Sequence, residues 1–131
     1  MKKELHFSTM ERYEFLDITS SVKEVIRESG VKEGMVLVFS LHSTAAIMIA
    51  ENEGGLLKDF NKFFNEIVPD ADFLHDKIDN NTDSHILASI VGQGECLPIG
   101  EGKLEQGTWQ SIFLAEFDGP RKRKVLIKVI T

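Results

Sequence analysis

Two apolar runs constrain this chain more than any other feature. Met35-Val36-Leu37-Val38-Phe39-Ser40-Leu41 follows Gly34, and Ala45-Ala46-Ile47-Met48-Ile49-Ala50 comes three residues later. Both are strand-length and nearly continuous, the pattern of strands buried on both faces. After them, Leu56, Leu57, Phe60, Phe63, Phe64 and Ile67 recur at helical spacing. They predict an amphipathic helix that packs on the core and stops before Pro69. Upstream, Ser21 and Glu24 have capping-box spacing and Gly30 supplies a stop. Residues 20–29 therefore read as a short helix with Val22, Val25 and Ile26 inward.

Strands flank these helices. Residues 3–8 and 12–18 read as two strands joined near Met10 and Glu11, with Tyr13 and Phe15 on one face. Residues 69–82 read as a long polar loop, and 84–91 as a helix ending at Gly92. The last third is β: residues 95–99, a turn at Glu101-Gly102, residues 108–118, a tight turn at Asp118-Gly119-Pro120, and residues 124–130. In 108–118, Gln110, Ile112, Leu114, Glu116 and Asp118 share a face, and Trp109 falls on the other as a packing residue. Strands at both ends around central helices give an α+β class with largely antiparallel pairing. With 131 residues, 42% of them hydrophobic, the chain is one domain over residues 1–131.

Net charge is −6. The first 118 residues hold 21 acids and 10 bases, and five bases but no acid follow Gly119. Such a chain is a poor general binder of nucleic acid. Lys122 and Lys124 read as a solvated turn and strand edge, with Arg121 held apart as a candidate anion contact. Cys96, the only cysteine, reads as a small buried hydrophobe and excludes an intrachain disulfide. No secretory or membrane-spanning run is present, so a cytoplasmic location without a membrane partner is expected.

Three histidines stand in polar settings. His42 ends a buried strand in His42-Ser43-Thr44, His75 sits in the long loop beside Asp76, and His85 opens a helix after Asp83-Ser84. Three imidazoles with an open fourth position would suit a catalytic zinc. Their spacing matches no compact zinc motif, so the residues alone favour three unrelated histidines. Glu51-Asn52-Glu53 complements the dipole of the helix that follows.

Several separated segments share one pattern. His42-Ser43-Thr44-Ala45-Ala46, Glu51-Asn52, Asp59 before Phe63-Phe64, and Val68-Pro69-Asp70 resemble the YjbQ-like family. So do His75-Asp76, Ser84-His85-Ile86, Leu97-Pro98, Gly107-Thr108-Trp109-Gln110 and the stretch from Glu116 to Arg121. The resemblance implies about seven largely antiparallel strands in two packed sheets with two to three helices, and a homotrimer. It implies a transferase of the thiamine-phosphate synthase type, joining a pyrimidine methyl diphosphate to a thiazole phosphate with release of pyrophosphate. In that reading His42, His75 and His85 are catalytic. They either bind a divalent metal, zinc above all, or hydrogen-bond the phosphates directly, with magnesium as an alternative ion for the diphosphate. Thr44, Asn52, Ser84, Glu116 and Arg121 would contact the phosphorylated substrate, and Asp76 would orient the imidazoles. Asp83 departs from the small residue or proline expected before Ser84. The alternative is a non-enzymatic trimer that holds a metal or other ligand.

Overall fold

The computed structural model describes residues 1–131. Eight strands and three α-helices follow in the order β1 (Lys2–Ser8), β2 (Glu14–Asp17), α1 (Thr19–Ser29), β3 (Gly34–Ser40), β4 (Ala45–Ala50), α2 (Gly54–Ile67), α3 (Thr82–Val91), β5 (Gly94–Gly100), β6 (Lys103–Leu104), β7 (Ser111–Glu116) and β8 (Lys122–Ile130). A single 3₁₀ turn, Leu74–Lys77, interrupts the expected loop before α3. The strands form a five-stranded sheet, β1-β8-β3-β5-β6, and a three-stranded sheet, β2-β7-β4. Every pairing is antiparallel. The α+β class is as the residue pattern predicts, and the two sheets are as the resemblance implies, with eight strands where about seven are expected. No helix is long and apolar enough to cross a membrane.

Period-two alternation builds the main core between the sheets. Val36 and Val38 of β3 and Val125, Ile127 and Val129 of β8 meet Ala45, Ile47, Ile112 and Leu114 from the smaller sheet, with Val22, Val25 and Ile26 of α1 closing one side. The other face of the smaller sheet packs beneath α2 and α3. There Ala46, Ala115 and Phe117 meet Phe64, Leu87 and Ala88. Glu53 starts α2 by accepting the free amides of Gly55 and Leu56 at 2.6 and 2.9 Å, as its place before the helix suggests.

Four local expectations are corrected. β3 is buried on one face only: Met35 and Phe39 on the other are exposed, because nothing in the chain covers that side of the sheet. Cys96 lies on the same exposed side. The Ser21–Glu24 capping box does not form, because α1 begins earlier and Asp17 Oδ1 accepts the Thr19 amide at 2.9 Å. Residues 107–110 are a closed turn, not strand. The Gln110 amide donates to the Gly107 carbonyl at 3.1 Å, and Gln110 Oε1 accepts the Gly107 amide at 2.8 Å. Trp109 at its tip is therefore 72% exposed and packs on nothing in the core.

Candidate functional site

An ion pair inside the core organises one end of the smaller sheet. Alternation along β7 carries Glu116 inward on the face of Ile112 and Leu114, and alternation along β8 carries Arg123 inward with Val125 and Ile127. Glu116 is 0% and Arg123 3% exposed. Arg123 Nε donates to Glu116 Oε2 at 2.7 Å, and a second bond joins Arg123 Nη2 to Glu116 Oε1. The carboxylate also accepts the Thr9 hydroxyl at 2.9 Å and the Asp118 amide at 2.9 Å. Arg123 Nη2 donates onward to Thr44 Oγ1 at 2.8 Å. Buried charges persist only with such complete pairing. The network ties the ends of β1, β7 and β8 to the start of β4.

The turn above this pair carries the polar groups outward. Gly119 is required there, because a Cβ would collide with the Glu11 carbonyl oxygen. Arg121 folds back on Asp118, with Nε donating to its carbonyl at 2.8 Å and Nη2 to its Oδ2 at 3.1 Å. Asp118 Oδ2 also accepts Asn81 Nδ2 at 2.8 Å. Asn81 is almost fully buried, and its Oδ1 has no hydrogen-bond partner.

Together these elements enclose a cleft of about 640 Å³. His42, Ser43 and Thr44 line it from the β3–β4 turn, and Asp79, Asn81 and His85 from the start of α3. Asp118, Arg121, Lys122 and Arg123 complete it. Apart from Pro120, every lining side chain is polar.

His42 is locked in one tautomer. Its Nε2 accepts the Lys124 backbone amide at 2.8 Å, so that nitrogen carries no hydrogen and the neutral ring bears its proton on Nδ1. Burial, then the charge of Arg123, holds its pKa below the ordinary value of 6.5, against an opposing effect of Glu116. A metal needs a free lone pair, and His42 has none to give. His75 does not line the cleft. Its ring packs edge-on against His85 at 4.7 Å between centroids, and its Nε2 is buried without a hydrogen-bond partner, 3.7 Å from Asp79 Oδ2. Asp76 orients no imidazole. Its Oδ1 accepts the Thr82 amide at 3.0 Å and so caps α3. No three His, Cys, Asp or Glu side chains are placed to hold a metal ion. His42, His75 and His85 therefore do not form the expected triad for zinc or magnesium.

Of the expected site residues, the fold brings His42, Thr44, His85 and Arg121 together. Ser84 is buried beneath them and donates to the Phe117 carbonyl. Glu116 supports the cleft from the core. Asn52 lies elsewhere, donating to Asp17 Oδ2 at 2.8 Å. Asp83 fits the structure by accepting both Arg12 Nη2, at 2.7 and 2.8 Å, and the Tyr13 hydroxyl. Neither Asn81 nor Arg123 is expected at the site from the sequence, and Lys122 is expected as a solvated edge, whereas all three line the cleft. A signal for Arg123 exists: it alternates with Val125, Ile127 and Val129, which makes it a cation on a buried strand face.

A family model described as UPF0047 protein YjbQ-like matches residues 3–131. A UPF0047 protein of Methanothermobacter thermautotrophicus is 47% identical over 128 residues, 97% of this chain and 90% of the relative. The UPF0047 protein YugU of Bacillus subtilis is 37% identical over 131 residues, 99% of each chain. A crystal structure of a YbjQ-like protein of unknown function from Sulfolobus solfataricus superposes with a TM-score of 0.96 at 39% identity, covering 98% of this chain and 95% of that one. The names of these relatives give the family and state no activity, and the site holds no metal triad. The expected thiamine-phosphate synthase, acting on a phosphorylated metabolite at a histidine metal site, is therefore withdrawn. What matching sequence, matching fold and nearly full coverage establish is that this chain belongs to the YjbQ-like UPF0047 family.

Proposed function

We propose that the cleft binds a small molecule bearing an oxyanion, by charge and hydrogen bonds. The observation that carries this is its lining, polar except for Pro120, with three consecutive cationic residues at 121–123. Arg123 is neutralised by Glu116 and Arg121 partly by Asp118, which leaves Lys122 without an ion-pair partner. Ser43 and Thr44 bring hydroxyls to the same lining, and His42 has a neutral Nδ1–H. Calorimetric titration with sulfate, phosphate and small carboxylates at low salt tests the reading. It predicts single-site binding that weakens about tenfold or more in Arg121→Ala and Lys122→Ala, the loss of a charge-assisted hydrogen bond or two. No saturable heat with any oxyanion would end it.

The proposal includes assembly with further copies, as a homotrimer. It is supported by the uncovered side of the five-stranded sheet, where Phe39 faces Leu126 and Met35 faces Ile130 across β3 and β8. An apolar face of that kind suits burial against another chain. Light scattering should give three times the chain mass, reduced by Phe39→Glu. A single-chain mass at all concentrations would refute it.

A further inference from the structure

The opposite end of β7 carries features that the cleft does not use. Ser111 lies about 17 Å along the strand from Glu116, at roughly 3.4 Å per residue. Beside it is a second hollow of about 520 Å³ with no hydrophobic side chain in its lining. Asp17 contributes from the end of β2, Ser20 and Lys23 from the start of α1, and Gln106, Thr108 and Gln110 from the turn before β7.

The one carboxylate here is committed. Asp17 Oδ1 accepts the Thr19 amide at 2.9 Å and its hydroxyl at 2.6 Å, and Oδ2 accepts Asn52 Nδ2 at 2.8 Å. An incoming anion would face Asp17 and an incoming cation would face Lys23. A neutral ligand meets neither penalty. The neutral groups, by contrast, have capacity to spare. Gln106 Oε1 is buried with no hydrogen-bond partner, a state that native proteins rarely leave unresolved. Gln110 uses its oxygen on the Gly107 amide, and its amide nitrogen remains available. Amides and hydroxyls both donate and accept, as the hydroxyls of a sugar do. Between Thr108 and Gln110, the indole of Trp109 is held out by the closed turn at 72% exposure. An indole offers a flat apolar face to the C–H side of a sugar ring and a polar N–H at its edge.

We propose that this hollow is a second ligand site, for a neutral polyhydroxylated molecule such as a monosaccharide or cyclitol. Gln106, Gln110 and Thr108 bind its hydroxyls, and the exposed Trp109, which stands between two lining residues without itself lining the hollow, turns onto its C–H face.

Trp109 is the only tryptophan in the chain and stands between two residues that line the hollow, so its fluorescence is a local probe of this turn. Wild-type protein is titrated with glucose, galactose, ribose and myo-inositol. The expected result is a saturable change in emission with at least one of them. Binding should weaken about tenfold in Gln110→Ala and in Gln106→Ala, as loss of one or two hydrogen bonds implies, and stay unchanged in Arg121→Ala. No saturable change with any of the four overturns the proposal, as does equal binding by wild type and a folded Gln variant. A blue shift that follows protein concentration and not sugar also overturns it, because the indole would then be covered by a second copy. Should both Gln variants fail to fold, the wild-type titration decides alone.

Discussion

At the Glu116 end of β7 the chain buries a full ion pair and surrounds it with donors, so that exposed charges above it sit on a fixed base. At the Ser111 end, the carboxylate of Asp17 stays near solvent and the bonds around it join side chains on the surface. One end holds polar groups from below, through the core. The other gathers them on top of α1 and a four-residue turn. The two ends should therefore be fragile to different degrees. Buried charge left without its partner is expensive, and an exposed hydrogen bond competes with water.

Removing one carboxylate at each end should separate the two most strongly. Glu116→Ala should destabilise the fold by about 3–5 kcal/mol, because it strands Arg123 in the core. Asp17→Ala should lose only about 1 kcal/mol. Denaturant unfolding of both variants measures the contrast, and similar losses would erase it. Replacing the pair together, Glu116→Leu with Arg123→Met, should recover much of the first loss.

Binding separates the ends next. Arg121→Ala should weaken oxyanion binding about tenfold, as the loss of one charge-assisted contact implies. Its stability should change by no more than about 0.5 kcal/mol, since the side chain is largely exposed. Calorimetry and unfolding on the same sample check both halves.

A smaller effect concerns pH. The unfolded His42 imidazole takes up its proton near 6.5, and the folded one only at lower pH. Between those values the unfolded chain binds more protons, so stability falls as pH drops through the window and is regained above it. His42→Gln should show a shallower acid loss than wild type in thermal unfolding followed from pH 7.5 to 5. The smallest effect is expected at the other end: Trp109→Ala should stay within about 0.5 kcal/mol of wild type, because its indole is outside the core.

Much of the fold is legible in the sequence because it rests on period. Val22, Val25 and Ile26 mark α1's inner face, and Phe60 and Phe64 mark α2's, whereas Phe63 and Ile67 of the same apolar stripe are exposed. The site is less legible. Glu116 stands out on an apolar face, yet its partner is seven residues on, across a turn, inside a run that looks like a basic strand edge. Counting the charges at 121–124 hides the alternation that places Arg123 inward. The histidines show the opposite failure. Their types suggest a metal, but ring orientation decides, and only the register of β8 reveals that Lys124 occupies the lone pair of His42. Trp109 misleads for a third reason: the side chain of Gln110 closes a turn where alternation predicts strand.

The central claim is that the cleft above the Glu116–Arg123 pair is the anion site. Amide chemical shifts recorded while sulfate is added test it most directly. Saturable shifts should cluster at residues 42–44, 79–85 and 118–123, leave 17–23 and 106–111 still, and need about tenfold more sulfate in Arg121→Ala. Shifts centred on the Ser111 end, or scattered shifts that never saturate, would contradict it.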